Sequence, residues 1–142
     1  MKKQYKYVLW TLGAIWSVAM IALSPQFMAA HRETKSALEA FDGYSSSLVN
    51  QRFEEAYQHC GSDFREALPY AQFVSFQQSL QAQFGPLKSV QRSTYHVRGS
   101  GTPIRWRAAV DADMIYEKKN LRFQFEFHKE GDHWLLFGSE QR

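Results

Sequence analysis

The stretch Ile104–Glu117, IRWRAAVDADMIYE, determines the fold class because its side chains alternate between two characters. One set is apolar or small and comprises Ile104, Trp106, Ala108, Val110, Ala112, Met114 and Tyr116. The intervening set is mostly polar and comprises Arg105, Arg107, Ala109, Asp111, Asp113, Ile115 and Glu117. Successive side chains of a strand point to opposite faces of a sheet, so this alternation predicts a strand with one buried and one solvated face.

Three neighbouring stretches have the same period of two and are separated by turn residues. They are Ser89–Arg98, Leu121–His128 and His133–Ser139, with turns at 99–103, 118–120 and 130–132. Consecutive strands joined by short turns pair in antiparallel fashion. The second half of the chain therefore predicts a four-strand antiparallel meander.

Upstream of Pro86 the apolar spacing is helical instead. It predicts a helix over Thr34–Val49, a second over Gln51–Cys60, a short turn carrying Phe64 and Leu68, and a third helix from Pro69 to Phe84. On the third helix the apolar stripe is Phe73, Phe76, Leu80 and Phe84. Helices followed by consecutive strands indicate an α+β fold, with two or three helices packed on one face of the sheet.

The N-terminal stretch Tyr7–Leu23, YVLWTLGAIWSVAMIAL, indicates the compartment. No charged residue occurs between Tyr7 and Ala30, and about 20 apolar residues in a helix span the hydrocarbon core of a bilayer. Lys2, Lys3 and Lys6 precede this run, and positive charge tends to remain in the cytoplasm. We therefore expect a single-pass transmembrane helix in the cytoplasmic membrane, with the N-terminus inside and the C-terminal domain outside, in a periplasmic or extracellular position.

A cleaved signal peptide is the alternative for this segment. Cleavage after Ala30 or after Ala29 would place Met28 or Phe27 at the minus-three position, where a small residue is expected. An uncleaved signal-anchor fits better, and a buried helix of a soluble protein is a third possibility. The expected organisation is a membrane anchor over 1–30, a linker over 31–36 and one domain over 37–142.

Charge and cysteine content exclude several classes of protein. The three lysines before the apolar run account for the whole net charge of +3, so the domain itself is neutral. A nucleic-acid-binding domain would carry a concentrated positive excess, and we expect no nucleic-acid partner. Cys60 is the only cysteine, which excludes an internal disulfide, and its position in the apolar pattern predicts a buried structural thiol.

Short motifs in this order resemble the nuclear transport factor 2-like superfamily, which has a cystatin-like fold and includes the ketosteroid isomerases. They are Phe53-Glu54-Glu55-Ala56-Tyr57, Phe64-Arg65, Gly85-Pro86-Leu87 and the ending Gly131 to Phe137, GDHWLLF. The chain is similar to the small membrane-anchored bacterial members. The resemblance covers about 36–142 and implies a curved sheet wrapped around helices, forming a cone whose mouth holds a small molecule. It does not fix a function, because the fold hosts enzymes, binding modules and scaffolds.

A ligand pocket in such a cone would be lined by residues of the second strand and the helices. The candidates are Tyr57, Phe76, Trp106, Ala108, Val110, Ala112, Met114 and Tyr116. Ala108 and Ala112 are small enough to leave room for a small apolar ligand. The competing interpretation is that Phe73, Phe76 and Leu80 of the third helix fill that room.

Catalytic chemistry has little support in the sequence. An isomerase-like site requires a carboxylate base inside the pocket, whereas Asp111 and Asp113 fall on the polar face of their strand unless a bulge reverses it. We therefore expect no catalytic residues, with those aspartates solvated and paired to neighbouring strands. Motifs for metals or phosphates are absent, so no metal and no cofactor are expected, and His128 and His133 are interpreted as exposed turn residues.

Three functions remain. The first is a membrane-tethered extracytoplasmic domain without catalytic activity, which binds another envelope protein or itself. The second is a protein with a pocket for a small apolar ligand. The third, least favoured, is an enzyme of isomerase or hydratase type.

Overall fold

The computed structural model describes residues 24–142, in which four helices precede four strands. The helices are α1 (Pro25–Val49), α2 (Phe53–Gln58), α3 (Ser62–Ala67) and α4 (Tyr70–Phe84). The strands are β1 (Leu87–Ser100), β2 (Arg105–Tyr116), β3 (Asn120–Glu130) and β4 (His133–Gln141). Of the described residues, those up to Arg32 and those from Glu33 to Arg142 belong to two different compact units. The predicted α+β class is confirmed.

Helix α1 begins nine residues earlier than the predicted start at Thr34. Its first turn combines two ordinary start signals, since Pro25 is the first helical residue and the Phe27 amide donates to Ser24 Oγ at 3.3 Å. Proline suits the first position of a helix, and serine suits the position before it. Pro25 therefore starts a helix, and residues 31–36, expected to be a linker, are helical.

The sheet is a meander in the order β1-β2-β3-β4, with each strand antiparallel to the next. Strand β1 carries two bulges, at Lys88 and at Ser93, where it has one residue more than β2. Strand β4 carries a third, at Phe137, between the pairs Glu126–Gly138 and Phe127–Leu136. Strand β2 is free of extra residues, so its predicted alternation is preserved from Ala108 to Tyr116.

Helix α1 packs on one face of the sheet, which we call the inner face. Phe41 and Tyr44 contact Phe125 and Phe127, with ring centroids 5.5–6.5 Å apart. At the other end of the helical layer Phe84 contacts Tyr116, with centroids 6.1 Å apart. Aromatic pairs at such distances add to the apolar burial, so these rings form the centre of the core.

Gly85 connects α4 to β1 in a conformation that needs glycine. Its φ is 83°, and a Cβ there would lie 2.8 Å from the Cβ of Glu117. The positive φ and the close approach both favour glycine. This explains why the helix ends at Phe84, directly before Gly85.

Two predictions about core residues are wrong. Phe76 is 45% exposed, and Gln77 occupies the buried position of that turn of α4. Ile104 is 64% exposed because it precedes β2 in the turn. Phe137, for which no burial was predicted, is the bulged residue of β4 and is exposed.

None of the helices in residues 24–142 is long and apolar enough to cross a membrane. The predicted transmembrane run Tyr7–Leu23 lies outside the described residues, so the anchor stays a prediction.

Candidate functional site

Five of the eight predicted pocket residues lie deep in the core. Ala108, Val110, Ala112, Met114 and Tyr116 alternate along β2 and are each at most 3% exposed. They belong to one apolar cluster with Phe41, Tyr44, Phe73 and Leu80. These side chains of α1 and α4 share the core with the inner face of β2. This agrees with the competing interpretation, in which helix side chains fill the room beside Ala108 and Ala112.

The other three predicted pocket residues do not join that group. The Tyr57 hydroxyl donates to the Leu68 carbonyl oxygen at 2.9 Å, so its polar end is used locally. Phe76 is exposed on α4, and Trp106 is half-buried near the end of β2. The structure thus brings together the β2 members of the predicted site and separates them from Phe76.

Tyr116 carries a polar atom that the core does not satisfy. Its hydroxyl is buried and has no hydrogen-bond partner among the described residues. Burial raises the pKa of Tyr116 to about 12. A buried hydroxyl without a partner costs about 1–3 kcal/mol unless water or a ligand satisfies it.

Tyr116→Phe therefore tests whether anything binds this hydroxyl. If nothing binds the Tyr116 hydroxyl in solution, the substitution should leave the free energy of unfolding unchanged or raise it by about 1 kcal/mol. The matched control is Tyr57→Phe, which removes a hydrogen bond and should cost about 1 kcal/mol. Urea unfolding of both variants makes the comparison, and a loss above about 1 kcal/mol for Tyr116→Phe would show a bound water or ligand.

Asp111 and Asp113 lie on the outer face, as predicted, and both are paired with neighbouring strands. Arg122 of β3 binds Asp113 through two nitrogens, at 2.8 and 3.0 Å, and this interaction lowers the pKa of Asp113. Asp111 accepts from Thr94 at 2.7 Å and from Gln124 at 3.1 Å. Neither carboxylate faces the core, where a general base would have to reach an enclosed substrate.

The two histidines near the β3–β4 turn differ from each other. His133 is exposed, as expected, whereas His128 is half-buried within β3 and stacks on Phe137 with ring centroids 4.0 Å apart. The prediction of an exposed turn residue is therefore wrong for His128. Residues 24–142 contain no group of three or more His, Cys, Asp or Glu side chains that could hold a metal ion.

Cys60 is a buried structural thiol, as predicted. It is 2% exposed, and burial raises its pKa to about 12. The thiolate is the reactive form of cysteine, so this side chain is chemically quiet at neutral pH.

The feature that sequence reasoning missed is the open edge of the sheet. Strand β1 has no neighbour on its far side within residues 24–142, and ten of its fourteen residues are exposed. The register from Thr94 to Ser100 is continuous, whereas the two bulges interrupt the earlier part. An edge strand presents unpaired backbone donors and acceptors and can pair with another chain.

The opposite edge is partly occupied by the chain itself. The Gly61 amide donates to the Leu136 carbonyl oxygen at 2.8 Å, and the Leu136 amide donates to His59 at 2.8 Å. These bonds form a parallel bridge between Cys60 and Leu136 at the middle of β4. The two edges of the sheet are therefore unequal, and β1 is the more open one.

A groove of about 280 Å³ runs between α1 and the start of β1. Phe41, Val49 and Val90 supply its apolar lining, and the ion pair between Asp42 and Arg92, at 3.7 Å, lies beside it. A second, polar groove of about 650 Å³ lies between the start of α2 and Tyr70. The first groove adjoins the open edge, so one partner could use both.

A buried carboxylate at the end of the sheet was also missed. Glu33 of α1 is 3% exposed, and its two oxygens accept from Lys129 Nζ at 2.7 Å and from Trp134 Nε1 at 3.3 Å. The interaction fixes α1 to the ends of β3 and β4. Nothing in the local sequence indicates it, because about 100 residues separate Glu33 from its partners.

Comparison with known proteins supports the fold and nothing finer. No family model matches the chain, and no curated protein matches it. A solved structure, that of Bdellovibrio bacteriovorus Bd1075, is similar with a TM-score of 0.58 at 14% sequence identity. The match covers 83% of this chain but only 42% of the Bd1075 chain, so this chain spans less than half of that protein.

Proposed function

We propose that this chain is a membrane-tethered, extracytoplasmic domain without catalytic activity, which associates with another envelope protein or with a second copy of itself through strand β1. The observation that carries the proposal is the open edge of β1, with ten of fourteen residues exposed. A partner strand added to this edge would satisfy its free backbone groups.

The adjoining groove would add specificity to strand pairing. Backbone hydrogen bonds provide affinity for any extended segment, while side-chain pockets distinguish one segment from another. The groove beside Phe41, Val49 and Val90 is apolar at its base and charged at the Asp42–Arg92 pair. It suits an apolar side chain that follows the pairing segment.

The tether comes from the sequence. The run Tyr7–Leu23 is long enough to cross a bilayer, and the three lysines before it favour an outside position for the domain. Resemblance to the nuclear transport factor 2-like superfamily adds a curved, cone-shaped sheet to the proposal. The α+β architecture supports that resemblance, and the similarity to Bd1075 concerns the fold alone.

The absence of catalysis is proposed from the positions of the acidic side chains of β2. Asp111 and Asp113 are paired on the outer face, and the inner face of β2 carries Val110, Ala112 and Met114. An acid–base enzyme needs a titratable group that reaches its enclosed substrate.

A cysteine scan across residues 94–98 of the full chain tests the pairing. In a two-fold antiparallel β1–β1 pair, only residues at the symmetry axis face their own copies, at a Cα separation of about 4.5–5.5 Å that permits a disulfide. Oxidation should therefore give a dimer with a sharp maximum at one position. In intact membranes, a thiol-to-amine crosslinker added to the same variants would instead give one discrete heavier adduct if the partner is another protein.

Gln78→Cys, exposed on α4, is the matched control and should give neither product. The buried Cys60 does not compete for oxidation. Equal crosslinking at every position including 78, or none at any β1 position, would refute the pairing through β1.

A pocket for a small apolar ligand is the second candidate, favoured by one observation. The hydroxyl of Tyr116, the last residue of β2 and a member of the predicted pocket, is buried without a described partner. A ligand carrying an acceptor atom would satisfy it. The Tyr116→Phe comparison above, repeated with lipid extract added, separates this function from strand pairing.

A further inference from the structure

The end of the β1–β2 hairpin, residues 95–107, is exposed on both faces and is called the hairpin tip here. Its register pairs Val97 with Ala108, Arg98 with Arg107 and Gly99 with Trp106. Directly opposed residues of an antiparallel pair share a face, so the side chains of the tip can be sorted into an inner and an outer set.

The inner face of the tip is an apolar platform. Tyr95 is 49% exposed and Ile104 is 64% exposed, while Trp106 is half-buried. Ile104 and Trp106 lie over Gly99, where an added Cβ would be 3.0 and 3.1 Å from their side chains. Ile104 and Trp106 therefore meet over Gly99, with Tyr95 further along the same face, and bulky apolar groups in the open mark an interaction surface.

The outer face of the same tip is positively charged. Arg98 lies directly opposite Arg107, and Arg105 is opposite Ser100. None of the three arginines has an acidic partner within 4.0 Å in residues 24–142. Like charges directly opposite each other on a sheet are destabilising, and an anion between them would relieve that repulsion.

The tip lies at the end of the sheet where Glu33 of α1 is bound. His128 of β3 is paired with Arg107 of the tip, and the next residue of β3 is Lys129. Lys129 binds Glu33. Glu33 is therefore at the same end of the sheet as Trp106. The apolar run ending at Leu23 is about ten residues before Glu33, which limits their separation to about 35 Å.

We infer that the hairpin tip rests on the surface of the membrane that anchors the chain. Arg98, Arg105 and Arg107 bind the phosphates of anionic phospholipids, while Tyr95, Ile104 and Trp106 lie at headgroup level. Aromatic side chains prefer this interface, and basic side chains near it are attracted to anionic lipids. Contact with the membrane is a different interaction from strand pairing. It rests on one part of the proposed function, the membrane anchor.

The test places a fluorophore on the tip of the full chain. Ile104→Cys is labelled with an environment-sensitive nitrobenzoxadiazole group, and the buried Cys60 stays unlabelled. The chain is placed, one copy per disc, in lipid nanodiscs of phosphatidylcholine with or without phosphatidylglycerol. We expect the emission to shift to shorter wavelength only with phosphatidylglycerol, and spin-labelled headgroups to quench it.

Two controls make the readout specific. Asn120→Cys, at the opposite end of the sheet, should give the same emission in both lipids. Replacing Arg98, Arg105 and Arg107 by glutamine should abolish the shift at 104, whereas replacing Lys88, Lys118 and Lys119, which removes the same charge elsewhere, should leave it intact.

Several results would overturn the inference. One is an emission at 104 that is identical in both lipids, and another is a shift that survives the arginine substitutions. A shift that depends on protein concentration in detergent would assign the tip to a second copy of the chain. Flotation of the unlabelled chain with vesicles tests the tether separately. If the chain does not float, the emission of the label at position 104 is measured with vesicles added, which tests contact of the tip with lipid independently of the tether.

Discussion

Replacing Phe41 by alanine should lower the free energy of unfolding by about 3–5 kcal/mol, the largest effect expected of a single substitution here. Phe41 is 1% exposed, and its ring contacts Phe125 and Phe127 of β3 at centroid distances of 5.5 and 6.3 Å. Truncation removes apolar burial and leaves a cavity between α1 and the sheet. Domains of this size are stable by about 5–15 kcal/mol, so much of the total would be lost.

Urea unfolding of the full chain in mild detergent, followed by near-ultraviolet circular dichroism, measures the change. Phe76→Ala is the matched control because the same side chain is 45% exposed on α4. Its cost should stay below about 1 kcal/mol. Equal losses for the two variants would contradict the assignment of Phe41 to the centre of the core.

The second large effect is expected at Glu33. Glu33→Gln should lower the free energy of unfolding by about 2–3 kcal/mol, because it leaves the Lys129 ammonium partly buried without its carboxylate. The side chain of Glu33 is 5% exposed and that of Lys129 is 22% exposed. This partial exposure of the lysine keeps the effect below that of a fully enclosed pair.

A double-mutant cycle with Lys129→Met isolates the interaction. Each single change leaves one charge without its partner, so the double variant should cost less than the sum of the two. Glu39→Gln on the same helix is the control, since its pair with Lys35 is exposed and 3.9 Å long, and it should cost under about 0.5 kcal/mol. Additive losses in the cycle would show that the Glu33–Lys129 contact is absent in solution.

Sequence reasoning succeeded where a single local period decides the structure. The alternation from Ala108 to Tyr116 predicted both the strand and its buried face, because β2 has no bulge to reverse it. The same rule placed Asp111 and Asp113 outside, where they are paired as expected. As long as no bulge interrupts the register, the alternation of residues is enough to predict which side chains of a strand are buried.

It failed where the choice depends on distant parts of the chain. Phe76 and Gln77 both fit helical spacing after Phe73, and only the packed helices determine that Gln77 is buried. Ile104 continued the alternation of β2 in the sequence, yet the turn before the strand leaves it exposed. The ion pair of Glu33 and the open edge of β1 are properties of the assembled sheet, and no local pattern indicates either.

The unequal edges of the sheet limit the size of any assembly that grows by strand pairing. Within the part of the chain that the structure describes, two copies joined through β1 would leave only β4 edges exposed, and in each copy the backbone of Leu136 is already bonded to His59 and Gly61. A third copy would find no uninterrupted strand to extend. If copies associate through β1, assembly through this sheet would therefore stop at two chains, and the same bonds would hinder open-ended fibre formation.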